Sequence, residues 1–373
     1  MSMNRRKKDL IVVGGGPAGC AAAISAARKG ARALVLERGR FPRHRVCGEF
    51  VSAESLDLLQ TLLAPTHRRL IHNAPRIARS RIFVDDAELL AEISPAGASI
   101  TRFDLDAALW DSCACAGVER RDDCVVQSVQ GTGPFRVTTQ SESFQARALI
   151  NATGRWSNFT SSATRSRLTK EKERWIGLKA HFREISASAS PSVDLYFFDG
   201  GYCGVQPVSV HNGFPTVVNA CAMVRADIAT DLKHVLQLHS ALRERSQNWQ
   251  PVTDPVSTSP LVFHPPEPLL DGMFQVGDAA TFVDPFIGDG VSLALRSGDL
   301  AGNCLSPFFR NECSLETAAA DYSHLYQTRL APVFRASSRL RNMLRWPEMV
   351  RKPVLSVLKK TPAITRSFVN RTR

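Results

Sequence analysis

The sequence predicts an α/β fold: a doubly wound parallel sheet, an antiparallel sheet inserted into it, and a helical tail at the C-terminus. Three observations carry that expectation. A short apolar strand runs into a glycine turn and an alanine-rich helix near the N-terminus. Segments rich in β-branched and aromatic residues recur between Trp175 and Val224, and basic residues alternate with apolar ones from Arg329 to the end.

Composition sets the outer bounds. The chain has 373 residues, 44% of them hydrophobic, and 47 Lys and Arg against 35 Asp and Glu, a net charge of +12. Such a chain buries a large core, which excludes disordered and collagen-like classes. At about 150 residues per domain the length allows two domains or one large α/β domain with an inserted layer, and the motifs favour the second. Nine cysteines are scattered without a CxxC pair or any Cys/His metal spacing. They read as reduced thiols, with no metal site expected. No stretch reaches the roughly 18 uninterrupted apolar residues of a membrane span. The basic start, Met1 to Lys8, leads into a short β-branched run and not a signal-peptide core, so the expectation is a cytoplasmic protein.

The elements follow in chain order. Asp9 to Val13 reads as a buried strand leading into Gly14-Gly15-Gly16-Pro17-Ala18-Gly19; a helix over Ala21 to Lys29 and a strand over Arg32 to Leu36, ending in Glu37, come next. Strand, glycine turn, helix, strand and acid are the context in which GxGxxG binds a dinucleotide. Gly14 permits the tight turn, Gly16 lets a pyrophosphate approach the backbone, and Gly19 lets helix and strand pack closely. Glu37, 18 residues beyond Gly19, is placed to accept hydrogen bonds from ribose hydroxyls. Far along the chain a strand over Gly272 to Val276 leads into Gly277-Asp278, then Asp284-Pro285-Phe286-Ile287-Gly288-Asp289-Gly290 and a helix over Val291 to Asn303. A strand ending in Gly-Asp aims a carboxylate at a ribityl hydroxyl, and a helix start behind Gly288 and Gly290 stabilises negative charge. Alternatively it is a second βα turn without a ligand.

Together these two ends resemble the FAD-dependent oxidoreductases of the p-hydroxybenzoate hydroxylase superfamily. Within it, Phe41 to Leu59 (FPRHRVCGEFVSAESLDLL) is similar to the geranylgeranyl reductase branch and to related flavin-dependent halogenase-like proteins. The resemblance covers residues 9 to about 305 and implies a Rossmann-type FAD-binding domain, with FAD as cofactor and NAD(P)H as a transient reductant. The cofactor residues it implies are Gly14, Gly16, Pro17, Ala18, Gly19, Glu37, Arg38, Arg45, Cys47, Gly48, Arg102, Val126, Thr153, Gly154, Gly277, Asp278, Pro285, Gly288 and Gly290. Arg102 opens a helix over Leu105 to Ala116; it reads as an FAD contact or as a surface arginine beside an Asp N-cap. Thr153-Gly154 stands where the hydroxylases usually carry Asp-Gly, which speaks against a hydroxylase-like NADPH cycle. The expected division is FAD-binding parts at 1–80, 101–160 and 269–310, substrate-sheet strands at 81–100, an antiparallel substrate domain at 161–268, and a basic helical region at 311–373.

Trp175 to Glu184, Val193 to Phe198, Tyr202 to Val208 and Thr216 to Val224 read as the antiparallel sheet, with hairpin turns at Gly200-Gly201 and His211-Asn212-Gly213. Trp175, Phe182, Tyr196, Phe197, Phe198 and Tyr202 suit an apolar pocket or the core of that sheet. The Tyr202 hydroxyl is a candidate to orient substrate or donate a proton. Cys47, flanked by Arg45 and Gly48, reads as a proton donor or substrate anchor, or as a small packing residue. Gly48 is expected to matter through an unusual φ or through the room it leaves, and Glu49 is a candidate acid or base. Trp175-Ile176-Gly177-Leu178 lacks the second Trp and the Pro of the halogenase WxWxIP motif, so halogenation is set aside.

From Arg329 onward lie twelve basic residues against one acid, Glu348, interleaved with Leu, Met, Val and Trp. This tail suits an anionic membrane surface or an acidic carrier protein, or it is an ordinary helical face packed on the core; no recognition module points to nucleic acid. The expected activity is reduction of a C=C bond in an apolar small molecule by reduced FAD. The alternatives are a monooxygenase using NAD(P)H and oxygen, and a flavin-binding module without turnover.

Overall fold

The computed structural model describes residues 7–155, 174–184, 191–211, 214–261, 263–282 and 288–335. The strands are β1 (Lys7–Val13), β2 (Ala33–Leu36), β3 (Phe50–Val51), β4 (Arg76–Val84), β5 (Ala87–Ser99), β6 (Glu119–Arg121), β7 (Val126–Gln130), β8 (Phe135–Thr139) and β9 (Ser143–Asn151). They continue with β10 (Trp175–Arg183), β11 (Ser192–Phe198), β12 (Gly201–His211), β13 (Phe214–Arg225), β14 (Gln250–Pro251), β15 (Val256–Thr258), β16 (Leu269–Leu270) and β17 (Met273–Gln275). The longer helices are α1 (Pro17–Ala27), α2 (Ala53–Leu62), α3 (Arg102–Cys115), α4 (Gly290–Cys304) and α5 (Leu315–Arg329).

The first sheet runs β16-β17-β9-β1-β2-β6 and is parallel from β17 to β6, with β7 and β8 attached as antiparallel strands beside β9. Leu10 to Val13 are all buried, as a central strand covered on both faces requires. Helix α1 lies against it and is itself buried from Pro17 to Ala26, because its alanines admit close neighbours on every side. One of those neighbours is α4, from the far end of the sequence. A Cβ on Gly298 would fall 2.1 Å from the Ala18 carbonyl oxygen, and one on Gly302 would fall 2.6 Å from that of Ala22. The two glycines are what let these helices touch.

The second sheet runs β14-β10-β13-β12-β11-β4-β5-β3, with β15 also on β10, and is antiparallel except where β11 meets β4. Its strands come from three stretches of chain. The sequence places its first contribution at 81–100, whereas the strand begins at Arg76, and Phe50–Val51 adds an edge strand inside the stretch assigned to the first FAD-binding part. Two residues are too few to leave a periodic signal. Of the proposed tail, α5 and the chain to Arg335 are described, while Asn212, Gly213, the Ser161 to Lys172 connection and the tail from residue 336 lie outside the described residues.

Candidate active site

Between the two sheets lies a cavity of about 540 Å³, bounded by the β1–α1 turn, the segment from Arg43 to Phe50, Ala152 to Arg155, the facing strands β10, β12 and β13, and the start of α4. At its β1 end the turn is fixed by backbone geometry. Gly14 has φ +110°, and a Cβ there would fall 2.2 Å from the Ala152 carbonyl oxygen. Gly19 packs under it, where a Cβ would lie 1.9 Å from the Gly14 oxygen, so Gly19 shapes the turn without bordering the cavity. Gly16, Gly48, Gly154 and Gly290 differ: a Cβ on any of them would meet nothing within 4 Å. These four line a cradle with their backbones bare.

Charged groups surround that cradle. Glu37 is buried; one carboxylate oxygen accepts from the Gly15 N–H at 2.7 Å, the other from the Gly39 N–H at 2.9 Å and from Arg43 Nη1 at 2.6 Å. Burial raises its pKa, but Arg43 and the two amides outweigh that and hold the carboxyl below its usual range. It stands at the cavity wall with its orientation already fixed by the turn. Arg38 and Arg45 border the same region, and no ion pair engages Arg45 among the described residues. Burial first, and Arg43 next, push the Arg45 guanidinium down to about 10. An anion arriving there relieves both effects.

The remaining expected cofactor residues fall around the cavity as well: Pro17, Ala18, Cys47, Arg102, Val126, Thr153, Gly277, Asp278 and Gly288 border it, while Pro285 lies outside the described residues. Arg102 is no surface residue. Its Nε and Nη2 each donate to Asp106 at 2.7 Å, and the N-cap of α3 is Thr101, whose hydroxyl accepts from the Asp104 N–H. Asp106, buried on the inner side of the helix, pulls the guanidinium inward. Of the two readings of Gly48 the structure favours the room it leaves, since a Cβ there would meet nothing within 4 Å and the left-handed residue is Glu49 at φ +64°.

Tyr202 borders the cavity with Val46, Gly177, Ala222, Met223, Leu261 and Phe282. The other aromatics do not line it. Tyr196 stacks on Phe83 at 4.6 Å and Phe182 on Trp249 at 5.2 Å, and Phe197 and Phe198 join packing clusters of the sheet. Trp175 packs in the cluster that holds Tyr202. Alternation along the strands turns Phe182, Tyr196 and Phe198 to the opposite face, while Trp175 and Phe197 share the face of Tyr202 and pack beside it without bordering the cavity. Sequence reasoning missed two residues beside it. Both are buried: Lys179 ion-pairs with the carboxylate of Glu49, and His181 Nε2 lies 2.7 Å from it, within hydrogen-bond reach. Their signal was a lysine and a histidine two apart on one face of an apolar strand.

The open glycine cradle, the unpaired Arg45 and the carboxylate at the second strand's end fit an adenine dinucleotide, and the apolar roof fits a flavin with a substrate before it. Fold and site together define an enzyme of the FAD-dependent oxidoreductase class. A family model for FAD dependent oxidoreductases matches residues 9–52. Digeranylgeranylglycerophospholipid reductase 3 of Methanosphaera stadtmanae is 21% identical over 92% of this chain and 88% of its own length. Among solved structures, a geranylgeranyl bacteriochlorophyll reductase-like protein of Thermoplasma acidophilum has a TM-score of 0.73 at 19% identity, covering 98% of this chain and 96% of that one. A flavin-dependent brominase has a TM-score of 0.73 at 18% identity, covering 98% and 93%. The fold is thus shared by reductases and halogenating enzymes.

Proposed function

We propose that the protein saturates a C=C bond in an apolar, isoprenoid-like small molecule. One observation carries the reading: the cavity that opens on the glycine cradle continues, without a wall, into the apolar surface of Val46, Met223, Leu261 and Phe282. Reduced FAD held in the cradle supplies the hydride. The chain's part is to hold the substrate chain against that apolar surface, exclude water, and supply a proton at the carbon left behind. Gly14, Gly16, Glu37 and Arg45 would hold the nucleotide and pyrophosphate, and Gly154, Asp278, Gly288 and Gly290 the other half. The relationship to a digeranylgeranylglycerophospholipid reductase supports the substrate class, and Thr153-Gly154 in place of Asp-Gly argues against the hydroxylase cycle. NAD(P)H docking transiently is the proposed source of electrons, since the sequence holds one GxGxxG.

The test is optical. The purified protein should carry oxidised-flavin absorbance, lose it on anaerobic reduction, and regain it under argon when a geranylgeranyl lipid is added. Reoxidation that requires oxygen and consumes it in step with substrate would replace this reading with monooxygenation.

A further inference from the structure

The cavity face of the second sheet changes character row by row. Gly177 lies across from Met223, and Met223 from Tyr202, a row on the apolar part of the cavity. The next row is Lys179, Cys221 and Gly204, and the one after it is His181, Asn219 and Gln206. Steps of two keep all three rows on one face. Glu49 bridges the polar rows. Its Oε1 accepts from Lys179 Nζ and from the Arg102 N–H at 2.8 Å, and its Oε2 lies 2.7 Å from His181 Nε2. All three side chains are buried, and Glu49 borders the cavity. At the cavity rim, His44 stands edge-on to His181 with ring centroids 5.5 Å apart and stacks on the exposed Phe103. Titratable groups therefore run from the cavity rim at His44 through the buried His181 to Glu49.

Packing alone gives no reason for a carboxylate, an ammonium and an imidazole in this place, because each buried ion costs several kcal/mol unless it is paired. We propose that His181, Glu49 and Lys179 are the proton-delivery array of the cavity: His181 takes a proton from outside by way of His44, Glu49 passes it to the substrate, and Lys179 fixes the Glu49 carboxylate. The proposal rests on the reductase reading, in which the C=C π bond breaks, hydride forms one C–H bond and the Glu49 proton forms the other. That proton reaches Glu49 from His181 across the Oε2–Nε2 contact, and its passage to the carbon leaves Glu49 ionised again and His181 to be reprotonated by way of His44. The Glu49 carboxyl is raised by burial, but His181 and Lys179 more than offset that and hold it below its usual range, so it transmits a proton and does not store one. His44, depressed by burial and then by Lys179 and His181, against the pull of Glu49 and Asp104, hands its proton on. The other ionisable groups around the array are Arg102, Cys47 and Cys221. Glu49 is the catalytic residue here; His181 and Lys179 act through it.

A proton count tests this without any substrate. FAD-loaded protein is photoreduced anaerobically in weak buffer with an indicator dye, between about pH 5.5 and 8.5, the span in which imidazole changes charge. Negative charge added to the cavity by reduction draws a proton onto the array. Wild type should take up about one more proton per two electrons than His181→Asn or Glu49→Gln within that span, with FAD content equal in all three. Lys179→Met should move the window to higher pH. Equal uptake in all folded variants overturns the proposal. Should the variants fail to fold, ring-nitrogen NMR of wild type decides: the His181 signal must change protonation state between oxidised and reduced protein, and an unchanged signal overturns the array. Because the count uses no isoprenoid, a reduced enzyme that no isoprenoid reoxidises removes the reductase reading alone.

Discussion

Gly14 and Gly16 stand two residues apart and answer to different physics. Gly14 is required by its φ of +110° and by the Ala152 carbonyl oxygen beneath it. Gly14→Ala should therefore destabilise the protein by about 2 kcal/mol or more, read from chemical denaturation. Gly16 faces only open space, so Gly16→Val should unfold at nearly the wild-type midpoint while FAD affinity falls at least ~10-fold, a loss of about 1.4 kcal/mol. Asp289 offers a pH signature. Burial pushes its carboxyl up to about 6, from 3.8 in the unfolded chain, against the pull of Arg296 and of the Ser52 and Ser292 hydroxyls. The folded protein thus holds this proton more tightly, so its contribution is most favourable at low pH and worsens as pH rises to about 6. Above that the penalty is on the order of 3 kcal/mol at most. In the FAD-free protein, Asp289→Asn should raise stability at about pH 8 and leave it nearly unchanged at about pH 4, where both forms are neutral in the fold. A variant equally stabilised at both values would contradict this account.

At the scale of elements, the contact between α1 and α4 joins the two glycine-rich turns into one site. Gly298→Val or Gly302→Val should cost about 1–3 kcal/mol by overpacking, and flavin content should fall with stability, because the same displacement moves the start of α1. Retained flavin in a destabilised Gly298→Val protein would show that the turn is held by β1 alone. The turns themselves were legible in the sequence, since strand, glycines, helix and acid are consecutive and local. So were β10 to β13, from their β-branched and aromatic runs. Gly298 and Gly302 were not singled out, because a glycine inside a helix reads only as a weak point until the neighbouring helix is in place. The Glu49–Lys179–His181 array was illegible for a related reason. It depends on a left-handed turn at Glu49 meeting a strand 130 residues away, and no local pattern announces that.

Over the whole molecule, charge is concentrated at one end. Ten of the twelve basic residues counted from Arg329 onward lie beyond Arg335, with the single acid. Removing everything after Arg335 should leave FAD content unchanged and abolish flotation with anionic vesicles. The intact protein should bind such vesicles at low salt and release them in about 0.5 M salt, where screening is nearly complete within a few ångströms. Binding that ignores both salt and truncation would exclude an electrostatic role for the tail. Among the described residues no helix is long and apolar enough to cross a membrane.

The glycine-mediated embrace of α1 by α4 also governs synthesis. A ribosome finishes the first phosphate-binding turn by Gly19, but the partner helix starts at Gly290 and its two contact glycines come later still. If flavin retention needs that contact, a nascent chain should not become yellow until most of its length has emerged, and premature termination before that helix should yield a colourless fragment.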